Sequence, residues 1–289
     1  TAGSDLDFWL CHSGDLDQAS RDALRRKADR LEEHAANCGL QAHFFLMHDQ
    51  SFRDGVVEQL SKESSGHTQH LLLLEEFYRT GLLIAGNPIL WWAVPPEQEE
   101  NYASYSQRLI ENRFVQPGQW LDFGGLSQLP AEEFFGVAHW QLFKGIDAPY
   151  KSLLKLMLLE AYAAEYPKID WLCLETKRAA YSSAEIDVDQ LDPYLLILQR
   201  ITQYLSERNE GDRLQLARRA FYFKVGQTLT GPHGRTDWRY QQMFKLCTDW
   251  GWRSGETARL NTRSEWKLDR VAEERNALVS ELSRSYRLL

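Results

Sequence analysis

The spacing of apolar residues changes character near residue 100 of the chain. Before that point, short apolar runs of the strand type alternate with segments in which apolar residues recur every three or four positions. Strands are predicted over 5–12, 40–47 and 88–94, and helices over 15–38 and 68–85. Asp15 or Asp17 is expected to cap the first helix, and Gly39 to end it. This β-α-β-α-β order is typical of a small α/β sheet.

After residue 100, nearly every segment has helical period, and Pro or Gly residues that interrupt helices lie between the segments. Helices are predicted over 101–112, 131–143, 149–166, 193–208, 213–229, 239–250 and 260–286. The sequence therefore predicts an α+β protein, with a small sheet domain over residues 1–100 and a mostly α-helical domain over residues 101–289.

Asp5 and Asp7 lie two residues apart in the otherwise apolar first strand. Side chains alternate across a strand, so both carboxylates are expected on the same face, a few ångströms apart. A divalent cation would offset their mutual repulsion, because hard cations prefer oxygen ligands. The alternative is a strand end with two solvated aspartates, and the spacing alone weighs the two interpretations equally.

Composition and charge indicate the classes of partner and the cellular compartment to expect for the protein. The chain has 289 residues, a net charge of −8 and four scattered cysteines without metal-ligand spacing. The acidic balance argues against a protein that coats nucleic acid, and the cysteines are typical of free thiols in a reducing compartment. No apolar run reaches the roughly 18 residues that a membrane span needs, and no signal peptide is visible. We therefore expect a cytoplasmic protein without a transmembrane segment, whose chain begins within a strand.

Several stretches resemble the catalytic domain of class I, enterobacterial-type adenylate cyclases. The most specific is EFFGVAHWQLFK at residues 133–144, which matches a family signature of the form EYFGxxLWxLYK and continues as GIDAPYKSLLK. Further matching runs are SDLDFWLCH at 4–12, TQHLLLLEEFYRT at 68–80, LLEAY at 158–162, LDPY at 191–194, RRAFY at 218–222, NTRSEWK at 261–267 and SYR at 285–287. The resemblance covers essentially the whole chain.

The resemblance implies a nucleotidyltransferase fold of the DNA polymerase β type in the first domain, with the helical domain completing the nucleotide site. It implies conversion of ATP to 3′,5′-cyclic AMP and pyrophosphate, with Asp5 and Asp7 binding two Mg²⁺ or Mn²⁺ ions. In enteric relatives the sugar phosphotransferase system controls activity, so a regulatory protein of that system is the partner implied. No nucleic-acid partner is expected.

The candidates for nucleotide binding are Lys144, Lys151, Ser152, Lys155 and His70. Lys151 and Lys155 share one face of a predicted helix, and Pro149 suits its first turn, where exposed amides favour an anion. The residue types alone favour solvated surface lysines by about two to one, whereas the family resemblance favours phosphate contact, most of all for Lys151. His70 has two equally weighted roles, which are nucleotide contact or capping and packing at the start of a helix.

Three features depart from the family pattern. The Gly-Ser motif that grips the triphosphate in relatives lies further before the paired aspartates, so Gly3-Ser4 is too close to serve. Asn87 stands where relatives often carry a lysine. The third metal-site carboxylate is unassigned, because Gln41, His43 and Asp49, on or just after the second strand, are not clear matches.

Three functions stay open at this point. The first is an adenylate cyclase catalytic core, which the signature at residues 133–144 favours. The second is a nucleotidyltransferase that acts on a separate acceptor, and the acidic net charge disfavours a nucleic acid in that role. The third is a fragment that binds a nucleotide or a partner without turnover, which the three departures favour.

Overall fold

A computed structural model describes residues 5–55, 70–126, 129–182, 191–229 and 237–289 of the chain. The described residues are mostly helical and include a small sheet of two strands, which confirms the α+β class. The strands and α-helices, in chain order, are β1 (Leu6–Cys11), α1 (Gln18–Asn37), β2 (Ala42–Met47), α2 (Asp49–Arg53), α3 (His70–Thr80), α4 (Tyr102–Glu111), α5 (Ala131–Lys144), α6 (Pro149–Glu165), α7 (Leu172–Tyr181), α8 (Pro193–Glu207), α9 (Gly211–Val225), α10 (Trp238–Asp249), α11 (Ser254–Asn261) and α12 (Leu268–Leu288).

Contacts divide the chain into two compact units. The first unit comprises Thr1–Val137 and Glu165–Pro193, and the second comprises Ala138–Ala164 and Tyr194–Leu289. The sequence-based division into 1–100 and 101–289 concerns functional domains and stays a prediction. Within the described part of the chain, we find no helix that is both long enough and apolar enough to cross a membrane.

The first unit is built on the β1–α1–β2 segment. β1 and β2 run parallel, with Asp7 opposite His43 in the register, so the predicted strands over 5–12 and 40–47 are confirmed. The predicted cap of α1 is Asp17, whose carboxylate accepts a hydrogen bond from the backbone N–H of Ser20 at 2.8 Å. This cap satisfies one of the amides that a helix start leaves without a helical partner.

An aromatic cluster packs against one face of β1. The indole of Trp9 stacks on Phe77 of α3 with ring centres 4.0 Å apart, and Phe52 and Phe123 lie against the same indole, each at 5.4 Å. Because side chains alternate along a strand, Asp5 and Asp7 lie on the same side of β1 as Trp9. The aromatic cluster therefore fixes the strand that carries the paired aspartates.

The third predicted strand, over 88–94, is wrong. Leu90–Ala93 form a 3-10 helix, and Ile89 makes an isolated bridge with Leu121. The cause is tertiary: Trp91 is fully buried, and its indole N–H donates to both carboxylate oxygens of Glu99, at 3.0 and 3.1 Å. An apolar run between prolines reveals neither this buried acceptor nor the turn that reaches it.

Most of the predicted helices are confirmed, with three differences. The helix predicted over 68–85 ends at Thr80, because Gly81 is a poor helix former and the following apolar residues are exposed. The helix predicted over 260–286 begins later, at Leu268 of α12, and its first predicted residues belong to the end of α11 and to a 3-10 turn at Arg263–Glu265. The short α2 and the buried α7 are not predicted, because neither has a clear apolar period of its own.

Candidate functional site

The paired aspartates are both solvent-exposed at the start of β1. Asp5 directly precedes the strand and Asp7 is its second residue. Alternation places their side chains on one face, with a backbone rise of about 7 Å between the two positions. Two exposed carboxylate residues on one face are of the ligand type that a hard cation prefers.

The parallel register of β1 and β2 shows how the candidates for a third ligand, Gln41, His43 and Asp49, lie relative to the paired aspartates. His43 is exposed and directly opposite Asp7, so the two side chains are neighbours on the same face. Asp49 lies beyond the opposite end of β2, where its carboxylate accepts a hydrogen bond from the backbone of Asp122 at 3.0 Å. Among the described residues there is no group of three or more His, Cys, Asp or Glu side chains able to hold a metal ion. The third carboxylate is therefore not found there, and Gly3 and Ser4 lie outside the described residues.

His70 is half-buried at the start of α3, with its ring 4.6 Å from that of Phe52. Burial lowers the pKa of His70, although a hydrogen bond with the backbone of Phe52 acts in the opposite direction. The Nε2 atom is buried and has no hydrogen-bond partner within the described ranges. A nucleotide contact by His70 stays a prediction.

The start of α3 is capped by Glu133 of α5. Its Oε2 atom accepts hydrogen bonds from the backbone N–H groups of Leu71 and Leu72, at 2.9 and 3.2 Å. Burial raises the pKa of Glu133, while these two hydrogen bonds lower it. The first residue of the EFFG run thus stabilises the helix that holds Phe77 against Trp9, a role that sequence reasoning assigned to His70 as an alternative.

The predicted phosphate-binding lysines belong to the second unit. Lys151 is exposed and Lys155 half-buried on α6, in the positions i and i+4 that share one helix face. Lys144, in the last turn of α5, lies with its ammonium 4.8 Å from the ring centre of Trp140. Ser152 is buried, with 1% of its surface exposed. Ser152 therefore belongs to the packed core of α6, and a nucleotide contact by Ser152 stays a prediction.

A further lysine, Lys224 in the last turn of α9, was missed by sequence reasoning. Its pKa is lowered mainly by burial and further by the charges of Lys151 and Lys155. Its ammonium lies 4.8 Å from the ring centre of Tyr194. Three lysines from two helices thus share one region of the second unit. The signal in the sequence is weak, because Lys224 follows an aromatic run that is typical of a helical core.

Tyr150, at the start of α6, borders this group of lysines. Its ring is packed against Phe223 at 4.7 Å, and the guanidinium of Arg263 lies 5.0 Å from its centre. Its hydroxyl donates to Glu274 at 3.3 Å, and burial together with Glu274 raises the pKa of Tyr150 to about 12. Tyr150 is therefore packed and protonated, and its packing holds the neighbouring Lys151 in place.

Comparison with known proteins assigns the chain to a family. The model for the second domain of class-I adenylate cyclase matches residues 129–289, more than half of the chain. The chain belongs to the class I adenylate cyclase family. The model for the adenylate cyclase N-terminal domain matches residues 1–92.

Individual adenylate cyclases support the same assignment. The chain is 44% identical over 286 residues to the adenylate cyclase of Yersinia intermedia, covering 99% of this chain and 34% of that protein. It is 43% identical over 289 residues to the enzyme of Escherichia coli K12, and 41% identical over 292 residues to that of Pasteurella multocida, covering 100% of this chain and 34% and 35% of those proteins. The chain thus spans about a third of the length of these relatives. No solved structure matches it.

The segment between the two matched adenylate cyclase regions, residues 93–128, contributes Asp122, which sequence reasoning also missed. Its carboxylate accepts a hydrogen bond from the hydroxyl of Tyr102 at 2.7 Å and pairs with Arg53 of α2. Burial and the charge of Asp122 raise the pKa of Tyr102. These contacts fix the loop whose next residue, Phe123, packs on Trp9. The run WLDFGG at residues 120–125 is the sequence feature that could have pointed to Asp122.

Proposed function

We propose that this chain is the catalytic part of an adenylate cyclase, with a nucleotidyltransferase-type first domain, which converts ATP to 3′,5′-cyclic AMP and pyrophosphate. The observation that carries the proposal is the exposed pair of Asp5 and Asp7 on one face of β1 in a member of this family. In this reaction the ribose 3′ oxygen attacks the α-phosphorus, the bond to the bridging oxygen breaks, and pyrophosphate leaves with the electron pair.

The two aspartates fit a divalent cation site, because they are adjacent, exposed and acceptor-only when ionised. A bound Mg²⁺ or Mn²⁺ would lower the pKa of the ribose hydroxyl and neutralise the triphosphate. In this proposal Asp5 and Asp7 hold the cation, and their placement on a strand fixed by Trp9 keeps both carboxylates oriented. A rigid support of this kind is what catalytic ligands require.

The lysines of the second unit are proposed as ligands of the phosphate oxygens. Lys151 and Lys155 present two positive charges on one helix face, and Lys144 adds a third at the end of α5. The helix start beside Lys151 adds N–H donors of the same electrostatic sign. Because nucleophile and electrophile belong to one molecule, these contacts act by holding ATP in a bent conformation.

Three finer expectations accompany this proposal. The cation is Mg²⁺ or Mn²⁺, a regulatory protein of the sugar phosphotransferase system is the proposed partner, and the cytoplasm is the proposed location. The acceptor for the proton of the ribose hydroxyl is left unassigned. The family match supports cyclisation over transfer of a nucleotide to a separate acceptor.

The test is incubation of the chain with ATP and Mg²⁺ or Mn²⁺, followed by mass spectrometry of the products. We expect cyclic AMP and pyrophosphate from the wild type, and none from Asp7→Asn. The matched control is Asp15→Asn, since Asp15 is an exposed aspartate in the loop after β1. Circular dichroism of both variants reports whether the fold is kept. AMP attached to an acceptor, or no product from the wild type, would overturn the proposal.

A further inference from the structure

The outer side of α1 carries a cluster of three cations, Arg26, Lys27 and Arg30, which we call the basic face of α1. All three are exposed, and their spacing places them on one side of the helix. Together with Ala23 they line a depression of about 360 Å³. This local positive charge contrasts with the net charge of −8 of the whole chain.

The opposite side of α1 is fixed against the sheet. Glu32 accepts a hydrogen bond from the backbone N–H of Phe44 in β2 at 2.8 Å, and Arg25 donates to the carbonyl oxygen of the same residue. Ala28, on the same side of the helix, is completely buried. The basic face is therefore presented by a helix that is already in place, so a partner that binds there has little ordering of the backbone to offset.

No carboxylate in the described part of the chain pairs with the basic face. None of its three side chains forms a hydrogen bond or an ion pair with another described residue. Two acids of α1 are engaged elsewhere, because Asp22 accepts a hydrogen bond from Gln18 and Asp29 pairs with Arg25, each at 2.8 Å. The two arginines of the face lie at i and i+4, where like charges destabilise a helix. An external anion would relieve this repulsion.

A more apolar depression of about 420 Å³ continues from the basic face toward the start of α1. The half-buried Leu16 and Leu24 line it, and Ala23 and Lys27 belong to both depressions. The two depressions therefore form one open groove along the helix, about 20 Å long at a rise of about 1.5 Å per residue. Such a groove matches a ligand that carries negative charges and an apolar group side by side.

The shape of the groove and the charge of the chain distinguish between anionic ligands. Small-molecule sites enclose most of their ligand, whereas these cations are open to water. Nucleic acids and anionic membranes extend beyond the groove, where the negative charge of the rest of the protein opposes them. A short acidic polypeptide contacts the groove alone, and arginine clusters recognise acidic segments in many complexes. About six extended residues span the groove, at about 3.3 Å per residue.

We propose that this groove is a docking site for an acidic segment of a partner protein. Carboxylates of the segment pair with Arg26, Lys27 and Arg30, and an adjacent apolar side chain packs on Leu16 and Leu24. None of these residues is a proposed ligand of the cation or of the phosphates. The inference therefore goes beyond the proposed function and does not depend on it.

The probe is a fluorescein-labelled peptide in which three glutamates are flanked by leucines, and fluorescence anisotropy measures its binding to the whole chain. We expect saturable binding by the wild type, which weakens as salt is added. The triple variant Arg26→Gln, Lys27→Gln and Arg30→Gln should bind about tenfold more weakly, the combined effect of three exposed ion pairs. Glutamine is a good helix former, so the circular dichroism spectrum and Tm should be kept.

The matched control is a second triple variant, Arg239→Gln, Lys245→Gln and Arg275→Gln, which loses the same charges from exposed positions of the second unit. It should bind the peptide as the wild type does. A peptide with glutamines in place of the glutamates should not bind. A peptide with serines in place of the leucines should bind about two- to fivefold more weakly, because it leaves the apolar part of the groove uncovered.

The assay contains no ATP, so this inference and the cyclase proposal fail independently of each other. Absence of saturable peptide binding by the wild type, or an equal loss in the two triple variants, would overturn the docking groove. Tighter binding to phosphatidylglycerol vesicles or to single-stranded DNA than to the peptide, lost only with the basic face, would assign the face to a membrane or a nucleic acid instead. Self-association in sedimentation velocity that is lost in the same variant would assign it to a second copy of the chain.

Discussion

The ammonium of Lys177 lies 3.8 Å from the ring centre of Trp91, and both side chains are completely buried in the first unit. Glu99 joins them, because its carboxylate accepts hydrogen bonds from Lys177 at 3.4 Å and from the Trp91 indole. The backbone N–H of Leu126 donates to the same carboxylate at 2.7 Å. One buried carboxylate therefore connects α7, the loop before α5 and the 3-10 helix that replaces the predicted third strand.

The two members of this ion pair are not equivalent. Glu99→Gln removes the counter-charge of a buried ammonium, and we expect it to destabilise the protein by about 3–5 kcal/mol. Lys177→Met leaves a carboxylate that still accepts the indole and backbone N–H groups, so we expect a loss nearer to about 1–3 kcal/mol. Urea unfolding followed by tryptophan fluorescence gives both free energies of unfolding. A larger loss in Lys177→Met than in Glu99→Gln would contradict this account of the network.

Lys177 also predicts a dependence of stability on pH. Its pKa in the folded protein is lowered from the usual 10.5, mainly by burial. Between the folded and unfolded pKa values the unfolded chain binds more protons, so this residue adds stability as the pH rises through that interval. Buried tyrosines with raised pKa values, such as Tyr78, act in the opposite direction. The measurement is therefore the difference in unfolding free energy between wild type and Lys177→Met, at several values from pH 7 upward.

We expect the unfolding free energy of the wild type to increase relative to that of Lys177→Met as the pH rises, because the variant lacks the titrating group. A circular dichroism spectrum at each pH ensures that both proteins start folded. A difference that stays constant, or that moves in favour of the variant, would contradict the lowered pKa of Lys177.

The Glu133 cap gives a local prediction. Glu133→Ala removes the acceptor for the Leu71 and Leu72 amides and should cost about 1 kcal/mol, as for other lost helix caps. Amide hydrogen exchange should become faster at these two residues first. Glu132→Ala is the matched control, since its neighbour Glu132 is exposed in the same turn of α5. Equal exchange rates in the two variants would show that the cap is not formed in solution.

The helix capped by Glu133 illustrates what the sequence predicts and what it does not. The two parallel strands, the Asp17 cap and most helices follow from local period and turn chemistry, so they were predicted within a few residues. Trp91, Glu133 and Lys224 owe their roles to partners distant in sequence. An apolar run shows that a residue is buried, but it does not show which buried polar group it meets. The exposed positions of Asp5 and Asp7 on one strand were therefore predictable, whereas the contact of Lys224 with Tyr194 on another helix was not.

Arg213 of α9 supports the second unit through a buried network of one guanidinium and three carboxylates. It pairs with Glu160 of α6 at 2.6 Å, with Glu210 at 2.5 Å and with Glu281 of α12. These charge-assisted hydrogen bonds raise the pKa of Arg213 despite its burial. Glu160 lies on α6, the helix that carries Lys151 and Lys155. The network therefore also fixes the helix of these two proposed phosphate ligands.

Arg213→Met would leave Glu160 and Glu281 buried without their shared cation, and we expect a loss of about 3–5 kcal/mol, measured by urea unfolding at pH 7. Arg208→Met is the matched control, since Arg208 is half-exposed and 4.0 Å from Glu210, and such pairs contribute about 0–1 kcal/mol. Equal losses in the two variants would show that the carboxylates are stabilised by groups other than Arg213.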